Sequence, residues 1–163
     1  MTAPESTLED IVGASPLGRG LSSEQVMVLA GLVALRRYGP SDVIAREGTV
    51  DDRLVVVVDG ALDVVKNLGT PNESTLTTLH AGDLAHELGF LDGTPRYTTL
   101  VATSAARVLV LERGRLESLI ETHPRILYAV MCAIVRTVHS VQTRLSVQAT
   151  ELLNYVVKQH GRY

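Results

Sequence analysis

The chain has 163 residues, of which 45% are hydrophobic and 20% charged. That is globular composition, long enough to bury a core without disulfide or metal staples. The net charge of -3 and isoelectric point near 5.9 speak against a surface given over to nucleic-acid phosphates. Cys132 is the single cysteine, so an internal disulfide and a multi-thiolate metal or iron–sulfur site are excluded, and a reducing, cytoplasmic location is expected. Met1 to Asp10 lacks a basic segment followed by an apolar one, so no secretory signal is read. Continuous apolar runs such as Leu54–Val58 fall far short of the roughly 18 residues of a bilayer span, and a soluble protein is expected.

In chain order, Leu8 to Val12 and Ser22 to Leu35 carry apolar residues at helical spacing. Ser22-Ser23-Glu24-Gln25 reads as an N-cap with its reciprocal partner three residues on. From Arg36 to Leu111 the texture changes to short runs rich in β-branched residues: Val43–Ala45, Leu54–Val58, Ala61–Val65, Leu76–Leu79, Thr98–Ala102 and Arg107–Leu111. Turn signals separate them, among them Gly39-Pro40, Glu47-Gly48, Gly82-Asp83 and Asp92-Gly93. Parallel strands would each need a crossover helix, and none fits between these runs, so an antiparallel barrel or jelly roll is expected. Asp59-Gly60 between two apolar runs predicts a hairpin.

Helical period returns briefly over Leu116–Glu121. It then runs without a breaker from Pro124, a residue suited to a first helical turn, to about Lys158. Leu127, Met131, Ile134, Val138, Val141, Leu145, Gln148, Leu152 and Tyr155 step by four and three, the a/d spacing of a two-stranded seam. The first two turns are expected to pack on the barrel, and Val138 to Leu152 to form a parallel homodimer. The fold class expected is thus mixed α+β, one domain over residues 1–163. It comprises N-terminal helices over 1–35, a jelly-roll barrel over 36–111 and C-terminal helices over 116–158.

The segment Gly82 to Thr99 carries the chemistry. Glu87 and Arg96 stand nine residues apart, and the apolar stretch between them can form one helical turn. A helical turn offers unpaired backbone N–H groups to an anion, and an arginine adds a charged phosphate contact. A carboxylate only accepts hydrogen bonds, which suits a ribose hydroxyl. The bland alternative is that Glu87 and Arg96 are an ion pair closing a surface loop, which is worth little.

This segment resembles the phosphate-binding cassette of cyclic-nucleotide-binding domains of the catabolite-activator and protein kinase A regulatory type. That cassette runs Gly-Glu, apolar residues, a variable stretch, then Pro-Arg and hydroxyl residues. Gly39, Glu47-Gly48, Asp52-Arg53-Leu54, Gly60 and Gly82-Asp83 also match that family's barrel turns, so the resemblance covers about Leu17 to Lys158. It implies that Glu87 accepts from the ribose 2′-hydroxyl, that Arg96 binds the cyclic phosphate and that the N–H groups of Leu88 and Tyr97 assist. Thr98 or Thr99 would add a hydroxyl. It also implies that Val141 and Gln142 on the long helix stand where the family caps the base. The implied ligand is cyclic AMP or cyclic GMP, with no metal or other cofactor.

The chain departs from the pattern at His86, where the family has glycine. Glycine there implies positive φ or a close backbone approach. The imidazole can turn outward, donate to the phosphate when protonated, or fill the pocket. As a haem ligand it would lack an identifiable second ligand. His80, His123, His139 and His160 show no metal-ligand spacing, Cys132 reads as a small buried hydrophobe, and no nucleophile triad is visible, so no enzyme is expected. Only Gln159 to Tyr163 follow the long helix, so direct DNA binding through a helix-turn-helix is not expected. Output through an unidentified partner protein or through dimerisation is. The alternative is a degenerate domain serving as a constitutive scaffold.

Overall fold

Two reciprocal caps start the chain's first helices. In the computed structural model, which describes residues 6–160, the Thr7 hydroxyl accepts from the Asp10 N–H, and the Asp10 carboxylate accepts from the Thr7 N–H. This opens α1 (Leu8–Ala14). Ser22 and Gln25 do the same for α2 (Ser23–Ala30), as their spacing predicts. Residues 1–5 and 161–163 of the expected domain lie outside the described residues.

The expected helix to Leu35 stops at Gly31 instead. Val33–Tyr38 is strand β1, paired antiparallel with β8 (Ala106–Glu112) in the register Val33 opposite Leu111. A short apolar run satisfies both periods, and the open edge of β8 decides between them.

Strands β2 (Val43–Ala45), β3 (Arg53–Asp59), β4 (Leu62–Lys66), β5 (Ser74–Leu79), β6 (Leu84–Ala85) and β7 (Thr99–Ala102) complete two four-stranded antiparallel sheets. Their orders are β1-β8-β3-β6 and β2-β7-β4-β5. The architecture is the expected jelly roll. The predicted hairpin at Asp59-Gly60 is not present, because β3 and β4 lie in different sheets and the turn carries the chain between them. Gly60 has φ 79°, and a Cβ there would stand 2.4 Å from the Ala105 carbonyl oxygen. The glycine thus serves a close crossing of backbones, which a hairpin signal does not distinguish.

The place of β3 explains why Leu54–Val58 is apolar throughout. Leu54 and Val56 face the helical layer with Leu17, Leu29, Phe90 and Ile126, while Val55 and Val57 face the sandwich interior with Leu62, Leu100 and Val108. A strand covered on both faces does not alternate.

α3 (Glu87–Asp92) sits between β6 and β7. α4 (Arg113–Glu117) leads to α5 (Pro124–His160), a helix of 37 residues, about 55 Å long. Ile126, Val130, Ala133 and Ile134 bury its first turns against the helical layer. Beyond Thr137 every side chain to Lys158 is exposed. α5 is also long and apolar enough to cross a membrane by length and composition. No long continuous apolar run marks it, because polar residues interrupt its apolar ones.

Candidate anion-binding site

The site is built from the β6–α3 junction and the segment before β7. Arg96 is the organising residue. Its backbone is laddered to the β2–β3 loop: its N–H donates to the Thr49 carbonyl at 2.9 Å, and its carbonyl accepts from the Gly48 N–H at 2.7 Å. Its side chain is 1% exposed. Nη2 stands 2.8 Å from an Asp51 carboxylate oxygen and donates to the Arg53 carbonyl at 3.3 Å. Nε and Nη1 are buried with no partner among the described residues. Burial lowers the Arg96 pKa, and its hydrogen bond to Asp51 opposes that shift.

Asp51 also accepts from Arg53 Nε at 2.8 Å. Burial alone would raise its pKa, but the hydrogen bonds from Arg53 and Arg96 hold it at about 2. The carboxylate therefore stays charged and anchors one side of the Arg96 guanidinium, leaving the other side for an external acceptor. An unmade bond to a buried charged donor costs about 1–3 kcal/mol or more, so an anion that reaches Nε and Nη1 recovers it.

The reading of Glu87 and Arg96 as an ion pair is overturned, because Arg96 pairs with Asp51 and Glu87 makes no ion pair among the described residues. Both line one cavity of about 160 Å³ together with His86, Leu88, Tyr97 and Thr98. Leu88 lies in the first turn of α3, where backbone N–H groups lack helical acceptors. Thr99 is buried in β7 outside the cavity, where its hydroxyl accepts from the Glu47 N–H at 2.9 Å.

Tyr97 is largely exposed, with its ring under the Lys66 ammonium, 3.8 Å from the centroid. Its carbonyl accepts from Lys66 Nζ at 2.9 Å. Lys66 also pairs with Glu47, whose pKa is lowered by that contact and by the Asn67 N–H. Sequence reasoning missed Asp51 and this clasp. An acid in the loop before a β-strand carries no local signal that it will meet an arginine 45 positions on.

Val141 and Gln142, expected at the base end, do not line this cavity. Val141 borders a separate cavity beside β5, and Gln142 is exposed.

His86 occupies the left-handed region with φ 70° and ψ 26°, which is the conformation the family's glycine implied. The outward reading of its ring is overturned. Both ring nitrogens are buried without a partner among the described residues, and the residue lines the cavity. The left-handed conformation costs a residue with a side chain roughly 1–2 kcal/mol, and the unmet ring nitrogens add to it. Glycine recovers both terms and gives back about 0.5–1 kcal/mol in unfolded-chain entropy. His86→Gly is therefore expected to stabilise the ligand-free protein by about 1 kcal/mol, or about 2–4 °C in Tm for a chain of this size. A melting temperature at or below that of the parent would show that the imidazole contributes more by packing than it costs.

A jelly roll that buries one half-paired arginine beside a six-residue helix has the chemistry to receive an anion. Comparison with known proteins identifies the family: residues 35–123 match the model of the cyclic nucleotide-binding domain, and the chain belongs to that family. Over 112 residues, 69% of this chain, it is 30% identical to a cAMP-dependent protein kinase regulatory subunit of Blastocladiella emersonii, of which it covers 28%. The Thermus thermophilus catabolite activator protein superposes with a TM-score of 0.67 at 26% identity, over 83% of this chain and 63% of that one. The regulatory subunit of a cAMP-independent protein kinase A from Trypanosoma brucei shares the fold. Its TM-score is 0.68 at 24% identity, over 85% of this chain and 50% of that one. The chain thus spans less than two thirds of the length of each of these proteins.

Proposed function

We propose that this protein is a regulatory module that binds a cyclic nucleotide through its phosphate at Arg96 and passes the bound state on through α5. The observation that carries the reading is the pair of buried, unpartnered nitrogens of the Arg96 guanidinium in a residue that lines one cavity with Glu87 and the first turn of α3. In this reading the phosphate takes Nε and Nη1, the N–H groups of Leu88 and Tyr97 assist, Glu87 accepts from the ribose and Thr98 supplies a hydroxyl. Kinase regulatory subunits and a catabolite activator among its relatives support cyclic AMP as the first ligand to test, with cyclic GMP the second.

The exposed apolar stripe of α5 beyond Thr137, including Val138, Val141, Leu145 and Leu152, supports a parallel dimer through that stretch. A ligand that binds one arrangement of barrel and α5 more tightly than another shifts their populations by its differential affinity.

His86 favours a second reading. Its buried ring belongs to a residue that lines the cavity, and a protein of the same fold is the regulatory subunit of a cAMP-independent protein kinase A, which suits a scaffold that has lost the mononucleotide. Thermal denaturation with cyclic AMP, cyclic GMP and cyclic dinucleotides separates the two. A binder at 100 times its Kd is stabilised by about 2.7 kcal/mol, about 5–10 °C here. No shift with any of them, in the parent and in His86→Gly alike, sinks the sensor reading and leaves the scaffold.

A further inference from the structure

We propose that the face of α5 carrying Arg125, Arg136 and Arg144 is a docking groove for an acidic, partly apolar peptide segment of a partner protein. A cavity of about 320 Å³ lies where Arg19–Leu21 leans on α5, lined by Arg19, Arg125 and Arg136 with Tyr128, Leu21 and Ala129 between them. A second cavity, of about 240 Å³, shares Arg19 and Arg136 and adds Arg144 with the Thr77, Thr78 and Ser140 hydroxyls. None of these four arginines makes an ion pair among the described residues. The one acid in the lining, Asp83, already accepts from the His80 N–H at 2.8 Å.

The charge is local. From Pro124 to Thr150, α5 carries three arginines and no acid, in a chain whose net charge is -3. Unpaired arginines clustered on one side of an otherwise acidic protein are complementary to carboxylates, which their planar forks bind in pairs.

Three considerations select a peptide. Arg125 and Arg144 are 19 residues apart on one helix, about 28 Å, too far for the anionic groups of a single mononucleotide to bridge. An extended strand covers that distance with about eight or nine residues. The apolar side chains between the arginines suit a peptide's own apolar residues, whereas long nucleic acid is disfavoured by the acidity of the rest of the surface. The cavity lined by Arg19, Arg125 and Arg136 stays open in the proposed dimer, since Leu145 and Val138 lie about 180° and 160° around the helix from Arg136 at 100° per residue, whereas the second cavity reaches the edge of the seam at Val141. The inference rests on the functional reading only in giving that reading a partner. The groove exists whether or not a nucleotide binds.

The test uses the full chain and a fluorescent nine-residue peptide in which Glu and Asp alternate with Leu and Phe. A peptide with Lys in place of the acids, a nine-nucleotide oligo-dT and inorganic tripolyphosphate serve as controls. Saturable anisotropy is expected with the acidic peptide alone, weaker at 0.5 M than at 0.05 M salt, about threefold or more. Arg19→Glu/Arg136→Glu, which alters both cavities, is expected to lower affinity at least tenfold, and Arg125→Glu/Arg144→Glu likewise, at unchanged melting temperatures. Binding that is absent, or indifferent to both double variants, overturns the proposal. Tighter binding of oligo-dT or tripolyphosphate than of the peptide does so too. Nucleotide-induced thermal shifts on the same samples report on the barrel site independently, so the two readings fail separately.

Discussion

Replacing Arg96 with alanine is expected to weaken cyclic-nucleotide binding at least tenfold and to destabilise the fold by about 3 kcal/mol. The first effect follows from charge. A phosphate entering the cavity loses water, and Arg96 is the one cation in its lining. Hydrogen bonds to a charged group contribute about 1.5–3 kcal/mol, and about 1.4 kcal/mol is a decade of affinity.

The second effect follows from what remains. Removing one partner of a buried pair costs about 3–5 kcal/mol, and Asp51 retains Arg53, which places the loss at the lower end. Because the truncation also destabilises the fold, Arg96→Lys is the paired measurement. It keeps a cation near Asp51 but loses the second face of the fork, so it is expected to fold and still bind at least tenfold more weakly. Calorimetric titration and urea denaturation read the two effects apart. A folded variant with parental affinity would place the anion elsewhere.

Leu145→Glu is expected to convert a dimer into monomers. In a parallel two-stranded seam, position 145 faces its own copy across the symmetry axis, so one substitution acts twice. Each buried leucine contributes about 1.5–3 kcal/mol. Losing two weakens association at least a hundredfold, and the opposed carboxylates add to that. Leu145 is 60% exposed in the single chain, so the substitution leaves the barrel's own core intact. Sedimentation at about 10 μM separates the cases, a concentration at which a modest interface is still occupied. A parent that sediments as a monomer there removes the seam.

The barrel was legible because turn glycines and β-rich runs alternate, and a chain so patterned, without crossover helices, has few ways to pair its strands. What misled was local ambiguity. Val33 to Leu35 reads as the end of a helix until β8 is present to pair with it, and β6, two residues long, has no period to read. Asp59-Gly60 carries a hairpin's residues, yet its glycine is there because Ala105 and Ala106 crowd it from another part of the chain.

The site divides the same way. Sequence alone determined the family resemblance, the roles it implies for Glu87 and Arg96, and the consequence of His86 for backbone geometry. A residue standing where glycine is expected must adopt glycine's φ if the turn is kept, and it does. Only the tertiary structure decided that the His86 ring turns inward, that Arg96 shares its charge with Asp51, and that Val141 and Gln142 of α5 stay out of the cassette cavity. Periodicity and motif spacing describe neighbours along the chain. Which charge an arginine meets across 45 residues, and how far a helix stays in contact, depend on how the sheets close around the core, and that is a property of the packed whole.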